Sequence, residues 1–469
     1  MSSGSTGAGR GALPTEARVA SEAAAVADNP LPRLLRWWML LEHRLYRTPV
    51  PSIKTADNLP PFMAVLYDGD TNIHALCSAL LHGRSPVMQV IYQPAGSGEA
   101  LVLAESRIAI PDKNFFCLSI ALCLQRRSSL IERALDRMND SIWLDQFAIA
   151  EPPANGCELS SATVLHFAAR HVARMVLNQG TKRIFRRHHW AMWYRKTSTN
   201  STAAQRTEWL AIPAADDRFY ADPFLWKDPQ GVKHLFFEEL PYDTNKGVIS
   251  HVSFDTVLNG WTQATRVLER SYHLSYPFIF SFDASVYMIP ESSANNTIEV
   301  YRAVRFPFEW TLHAVMMRDV TAVDTTLHYD GKTWWLFTSM ADKGGSNWDE
   351  LSIFYADDPF GEWTPHPMNP VVSDCSTARM AGNLFTDHEN RLIRPAQDCE
   401  REYGAAIRFN EVVVLSKTAY EERVVSTELP ARGYTGRHTW NECGEFSVTD
   451  QKLDVLRWGP RRYPHQPRK

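Results

Sequence analysis

The chain has 469 residues, 44 % of them hydrophobic, with a formal net charge of −4 and seven cysteines. That length exceeds one ordinary core, so two domains are expected. The near-balanced charge gives no polyelectrolyte argument for nucleic acid or a membrane surface, and an odd cysteine count without a C-x-x-C pair argues for reduced thiols in the cytoplasm over a disulfide framework or structural zinc.

Residues 1–29 are rich in Gly, Ala and Ser and lack an apolar h-region, so they read as a disordered leader. Leu34, Trp38, Leu41 and Leu45 share one face of an expected amphipathic helix over Pro32–Arg47; core packing or a membrane-surface role for its two Trp are the alternatives. Phe62–Tyr67, Asn72–His82 and Val87–Tyr92 read as strand, helix and strand of a βαβ unit, and Leu101–Glu105 as another strand. The turn Asp68-Gly69-Asp70 matches neither G-x-G-x-x-G nor a P-loop, which leaves nucleotide cofactors unsupported. Phe115–Leu124 is the most apolar run; at about ten residues it is too short to span a bilayer and reads as a buried helix or strand. Thr163–Leu177 is an expected helix with Leu165, Ala168, Val172 and Val176 on one side. The basic cluster Lys182, Arg183, Arg186, Arg187, His188 and His189 follows, either a solvated flank or a contact for anionic lipid or phosphorylated glycan. Thr197–Gln205 reads as a linker, so residues 30–196 form the α/β N-terminal region.

The second half repeats itself roughly every 50 residues. Asp222-Pro223-Phe224-Leu225, Tyr276-Pro277-Phe278-Ile279, Asp324-Thr325-Thr326-Leu327 and Ala381-Gly382-Asn383-Leu384 each open a short apolar strand, followed by a turn and a second strand. Trp261, Trp310 and Trp363, each followed by Thr, keep the same register. Repeats built only from short strands predict a mainly β fold, a five-bladed β-propeller over residues 206–457 with a basic tail at 458–469. The fifth blade is expected to take Glu411–Leu415 and Thr439–Asp454, with Glu208–Ile212 closing the ring. A propeller gathers the starts of its inner strands at one channel, which would bring Asp222, Asp324 and Arg379 together.

The string Phe219-Tyr220-Ala221-Asp222-Pro223-Phe224-Leu225 and the segment Arg391-Leu392-Ile393-Arg394-Pro395-Ala396-Gln397-Asp398 with Tyr403-Gly404 carry a family resemblance. Residues 206–455 resemble the N-terminal domain of plant glucosamine inositolphosphorylceramide transferases, a module that also occurs in bacterial proteins without the plant glycosyltransferase domain. The Ala-Asp-Pro opening is more distantly similar to five-bladed glycoside hydrolases such as family 43. That likeness implies a general base at Asp222 and an orienting carboxylate at Asp324. It also implies a proton-donating Glu in the next blade, where this chain has Ala378-Arg379-Met380-Ala381-Gly382; Glu291 is the candidate replacement. Bacterial relatives often carry a formyltransferase-like segment, of which the N-terminal region is a degenerate echo with no formyl-transfer constellation.

The remaining candidates are contacts for substrate. Glu238 and Glu239 alternate on a strand, one inward and one outward. Arg379 and Arg394 suit a phosphate or carboxylate, or else pair with internal carboxylates. Gln397, Asp398 and Tyr403 suit sugar hydroxyls. His251, His273, His328 and His438 have no ligand spacing, so neither metal nor catalytic histidine is expected. The expected function is carbohydrate-active: glycosyl transfer or cleavage on an anionic sugar or sugar phosphate in the channel, during glycan or glycolipid assembly. The alternative is a non-catalytic glycan- or partner-binding propeller. No cofactor, no nucleic acid and no transmembrane segment are expected, and association with a glycan-assembly complex would be peripheral.

Overall fold

The computed structural model of the protein describes residues 31–51, 53, 59–95, 99–138, 148–151, 157–196, 208–341 and 345–456. The expected leader, the 197–205 linker and the 458–469 tail lie outside these residues.

The N-terminal region starts with helix α1 (Arg33–Tyr46), strand β1 (Met63–Tyr67), helix α2 (Ile73–Leu81), β2 (Val87–Tyr92) and β3 (Leu101–Arg107). It continues with α3 (Phe116–Met138), β4 (Ala148–Ile149) and α4 (Ser161–Ile184). Asn72 caps α2 by accepting from the His74 N–H, as its position before the apolar run predicts. The expected βαβ unit is corrected: β1 and β2 pair antiparallel, in a sheet ordered β1-β2-β3-β4. Asp68, at the end of β1, donates its N–H to Val87 O (2.8 Å) and accepts from Val87 N–H through its carboxylate (2.8 Å). The end of one strand is thus tied to the start of the next, and α2 is the loop of a hairpin and not a crossover. In α4 the core side is Val164, Phe167 and His171; Leu165, Val172 and Val176, which share one side, are exposed. The bulky Phe167 ring sets the rotation of the helix by packing against Trp38 and Phe116. Of the basic cluster, Lys182 and Arg183 fall in the last turn of α4, and Arg186 to His189 in the strand after it.

Among the described residues five antiparallel sheets follow, so the chain is mainly β. The first comprises β7 (Arg218–Lys227), β8 (Lys233–Pro241), β9 (Val248–Asp255), β10 (Gly260–Trp261) and β11 (Thr265–Leu268); β10 and β11 both pair with β9. The second runs β12 (Ser275–Phe282), β13 (Ser285–Ser292), β14 (Thr297–Arg305), β15 (Glu309–Arg318). The third is β16 (Ala322–Tyr329), β17 (Trp334–Met340), β18 (Leu351–Ala356), β19 (Thr364–Pro365). The fourth is β20 (Phe385–Thr386), β21 (Leu392–Asp398), β22 (Ala406–Leu415), β23 (Tyr420–Glu428). The fifth has the order β24-β25-β5-β6, where β24 (Trp440–Cys443) and β25 (Phe446–Leu456) join β5 (Phe185–Lys196) and β6 (Leu210–Ile212).

Two expectations change here. Glu411–Leu415 belongs to the fourth sheet, because the short β20 leaves little sequence signal and shifts the count. The closing partner is chiefly β5, which the sequence reading placed in the N-terminal region; β6 joins through it. Each repeated Trp marks the outer edge of its sheet: Trp261 in β10, Trp310 in β15 and Trp363 just before β19.

The N-terminal region is fastened to the sheets by a buried ion cluster. Arg126 of α3 contacts Asp349 (2.7 Å) and Glu350 (2.5 Å), and Arg133 contacts Glu350 (2.6 Å). Asp349 also accepts from the Ala109 N–H. These residues hold the segment that carries Asn347 and Trp348.

Candidate functional site

The inner strand of each of the first three sheets slips register at one place: between Ala221 and Phe224, Ser275 and Phe278, and Val323 and Thr326. Asp222, Tyr276 and Asp324 stand in these breaks with φ of 50°, 44° and 54°. Gly382, with φ 138°, holds the matching place before β20. A left-handed residue other than Gly costs roughly 1–2 kcal/mol, and a bulge re-aims the side chain it carries. The four landmarks of the repeat are therefore one structural position, used to turn a side chain out of the pleat.

Asp222 is buried. Its carboxylate accepts from Tyr276 N–H (3.2 Å) and Thr439 Oγ1 (2.7 Å), and its own N–H donates to Asp450 Oδ2 (3.0 Å). His438 stacks on Trp190 at 3.7 Å between ring centres, with Nδ1 2.6 Å from Asp450 Oδ2 and Nε2 3.6 Å from Asp222 Oδ1. The imidazole thus bridges two carboxylates. Burial pushes the Asp222 carboxyl up to about 6, with His438 pulling against it and Glu238 and Asp450 adding to it. Burial disfavours the His438 charge, but Asp450 and Asp222 together hold its pKa above the ordinary value. Asp222, His438 and Asp450 offer ligand atoms within 4.8 Å of one another and could hold a metal ion; their mutual contacts already make a hydrogen-bonded triad.

Asp324 meets Arg379 through both oxygens, with Nε at 2.6 Å and Nη2 at 3.4 Å, and accepts from Gln397 Nε2 (3.0 Å). Burial pushes the Asp324 carboxyl up and Arg379 works against it. Burial likewise opposes the Arg379 charge, yet Asp324 holds that guanidinium well above its ordinary range. A guanidinium keeps its proton, so Arg379 is a cation at this site. Arg379 Nη2 also lies 3.7 Å from Glu291 Oε2, while Glu291 Oε1 accepts from Ser293 Oγ (2.7 Å). Tyr403 covers the Arg379 guanidinium at 4.9 Å and touches Trp348 and His438. Its hydroxyl is pushed well above the ordinary tyrosine range by burial, opposed by Arg379 and reinforced by Asp324, Asp222 and Glu291. Tyr276 Oη accepts from Gly382 N–H (2.8 Å) and lies 2.9 Å from Thr326 Oγ1, which ties three inner strands together.

The family model described as glucosamine inositolphosphorylceramide transferase 1, N-terminal, matches residues 202–459. The chain belongs to this family. The resemblance carried by Phe219–Leu225 is thereby borne out. Glucosamine inositolphosphorylceramide transferase 1 of Oryza sativa subsp. japonica is 36% identical over 244 residues, covering 51% of this chain and 32% of the rice protein. The Arabidopsis thaliana protein is 33% identical over 225 residues, covering 48% and 29% respectively. The match thus spans about a third of each plant relative. Among solved structures, a family 117 glycoside hydrolase from Zobellia galactanivorans aligns with a TM-score of 0.36 and 13% identity over 60% of this chain and 99% of that one. An exo-beta-1,3-galactanase from Clostridium thermocellum aligns at 0.37 and 11%, over 51% and 60%.

Of the residues singled out in the sequence, Asp222, Asp324, Glu291, Arg379, Gln397 and Tyr403 come together, and Glu238 joins them. Glu238 Oε1 lies 3.2 Å from His273 Nε2. Burial pushes the His273 pKa down and Glu238 draws it up, to about 9 on balance. The Gly247 amide donates to Nδ1 (2.9 Å), which requires a bare nitrogen, so the geometry supports the neutral Nε2–H tautomer. Glu239 points the other way, to Arg218 (2.5 Å) and Ser250 (2.7 Å). Arg394 is fully buried and makes a two-pronged pair with Glu422 (2.7 and 2.6 Å), the internal pairing that was its alternative reading. Asp398 is likewise taken by Arg408 (3.0 Å). With Arg394 paired to Glu422 and Arg379 to Asp324, both guanidinium forks are engaged by carboxylates. Sequence reasoning missed Tyr276, His438, Asp450 and Trp190. Tyr276 was detectable, since it fills the Asp222 position of the second repeat; His438 and Asp450 lie in the least regular sheet and gave no spacing signal.

Proposed function

We propose that this protein is carbohydrate-active in the assembly of a glycan or glycolipid, and that its five sheets are propeller blades whose inner strands share one glycosyl-binding channel. The observation that carries this reading is the convergence of Asp222, Asp324, Glu291 and Arg379 from separate sheets. Asp222, with a pKa near 6 and ionised at neutral pH, acts as base. Asp324 fixes Arg379. Glu291, held by Arg379 and Ser293, accepts from sugar hydroxyls. Tyr403 and Trp348 supply aromatic faces for the sugar.

Asp222, Asp324, Glu238, Glu291 and Asp450 outnumber the cationic groups facing them, so the channel suits a neutral or amino sugar better than the anionic one expected from the arginines. The plant relatives are glucosamine transferases by name, which agrees with an amino sugar. Seven free thiols support a reducing compartment, the cytoplasm.

Calorimetric titration with glucosamine and, separately, inositol phosphate tests the charge argument. Glucosamine binding that weakens in Glu291→Gln supports it; binding of inositol phosphate alone overturns it. Turnover of nitrophenyl glucosaminide separates catalysis from the second reading, a glycan-binding propeller, which the glycine at the expected acid position favours. Binding without turnover in the wild type assigns the binding role.

A further inference from the structure

Away from the converging carboxylates, a cavity of about 570 Å³ opens between the first and last sheets. That volume lies within the roughly 300–1,000 Å³ that small-molecule sites span. Strand β8 serves both places, because successive side chains of a strand point to opposite faces. Glu238 reaches the candidate site, whereas Glu239 lies in the wall of the cavity. Tyr194 of β5, Ile212 of β6, Val252 of β9 and Trp261 of β10 form an apolar wall, and Arg218 of β7 stands beside Glu239.

The charges in this cavity are compensated where they stand. Glu239, 4% exposed, accepts from Arg218 Nη1 (2.5 Å) and Ser250 Oγ (2.7 Å) and lies 3.5 Å from Arg266 Nη2. Arg218 Nε and Nη2 donate to Asp217 (2.8 Å each), and Arg266 Nη1 donates to Glu269 (2.9 Å). A charged ligand would break these pairs and leave Glu239 buried without its partners, whereas a neutral one leaves them intact. Tyr194 is the group left over. It is 9% exposed, its ring stands edge-on to Trp261 at 5.6 Å, and among the described residues its hydroxyl has no hydrogen-bond partner. Burial pushes its pKa up with no neighbour acting against it. A buried hydroxyl left unpaired carries a desolvation penalty of about 1–3 kcal/mol, which a ligand oxygen would relieve. An apolar wall beside fixed donors and acceptors matches a pyranose, which has one apolar face and a hydroxylated edge.

We propose that the cavity between the first and last sheets binds an uncharged pyranose unit, its ring against Tyr194 and Trp261 and its hydroxyls bonded to Tyr194 Oη, Arg218 and Glu239. This site is separate from the channel and does not depend on what the channel binds. Titration of the isotope-labelled full chain with the methyl glycosides of glucose, galactose and mannose tests it by nuclear magnetic resonance. The readout is the indole N–H resonance of Trp261, which Trp261→Phe identifies by its disappearance. A saturable shift of that resonance with at least one glycoside is expected. Tyr194→Phe should weaken that glycoside about fivefold with unchanged thermal unfolding. Ala215→Trp, which adds bulk at an exposed position of the cavity wall, should abolish the shift, and Glu291→Gln should leave it as in the wild type. A Trp261 resonance that none of the three glycosides moves, or that methyl glucuronide or cyclohexylmethanol moves at lower concentration, would overturn the proposal. So would a shift that Tyr194→Phe and Ala215→Trp both leave intact, or one that Glu291→Gln removes, which would assign the sugar to the channel alone.

Discussion

Asp222 is a buried carboxylate whose ionisation opposes folding. Its folded pKa, raised by burial to about 6 from an ordinary 3.8, exceeds the unfolded value. The stability contributed by its proton is full below about pH 4 and is lost as pH rises through about 6. Ionised Asp222 therefore destabilises the fold at neutral pH, by an order of 1–3 kcal/mol. Asp222→Asn should unfold at a higher temperature than wild type at pH 7, with the difference vanishing near pH 4, while turnover falls about 10²–10⁴-fold. Equal thermal stability at both pH values would show that hydrogen bonds to the carboxylate offset its burial. The two buried arginines separate by a similar comparison. Arg394→Met strands Glu422 without its partner and should cost about 3–5 kcal/mol with sugar affinity unchanged. Arg379→Lys keeps the charge but loses the fork on Asp324, so affinity and stability should fall together.

At the scale of the element, the bulged inner strand is the unit that recurs. It was legible as a repeat because Pro, Thr or Asn follows the turned-out residue and an apolar residue comes within three places of it. What the bulge presents differs from sheet to sheet: carboxylates in the first and third, a phenol in the second, a bare glycine in the fourth. Gly382 is required there, since a Cβ would lie 2.0 Å from Trp440 O. Gly382→Ala should destabilise by several kcal/mol through displacement of β24, read as a lowered denaturant midpoint. Tyr276→Phe leaves the buried Gly382 N–H without its acceptor and should cost about 1–3 kcal/mol. The second hairpin turn, Asp283-Ala284, has positive φ at both residues, 45° and 56°, the two-residue geometry that matches strand twist.

At the scale of the molecule, two contacts between distant segments hold the site. Strand β5 runs beside β25 from Phe185 to Lys196, so the chain before the first sheet closes the last one and places Trp190 under His438. The cluster of Arg126 with Asp349 and Glu350 pins the segment whose Trp348 touches Tyr403 and whose Asn347 O faces Arg379 (3.5 Å). Arg126→Met leaves Glu350 with Arg133 and Asp349 with backbone amides alone. It should cost about 3–5 kcal/mol and, if the proposed site binds sugar, weaken that binding too, although Arg126 does not touch the candidate site residues. A loss of stability with unchanged affinity would limit the N-terminal region to a structural role.

The sequence alone determined what is local and repeated: α1, α2 and β2 to within a residue or two, the strand landmarks, the family, and the carboxylates Asp222, Asp324 and Glu291. These follow from periodicity, capping and turn chemistry, which act over a few residues. Only the tertiary structure decided what depends on pairing between remote segments. Antiparallel pairing of β1 with β2, recruitment of β5 to the last sheet, and the face of α4 that is buried each turn on which competing apolar surface packs better. The same holds for charge. Whether Arg379 and Arg394 await a ligand or are already neutralised depends on carboxylates 55 and 28 residues away, and no spacing within the chain encodes that contact.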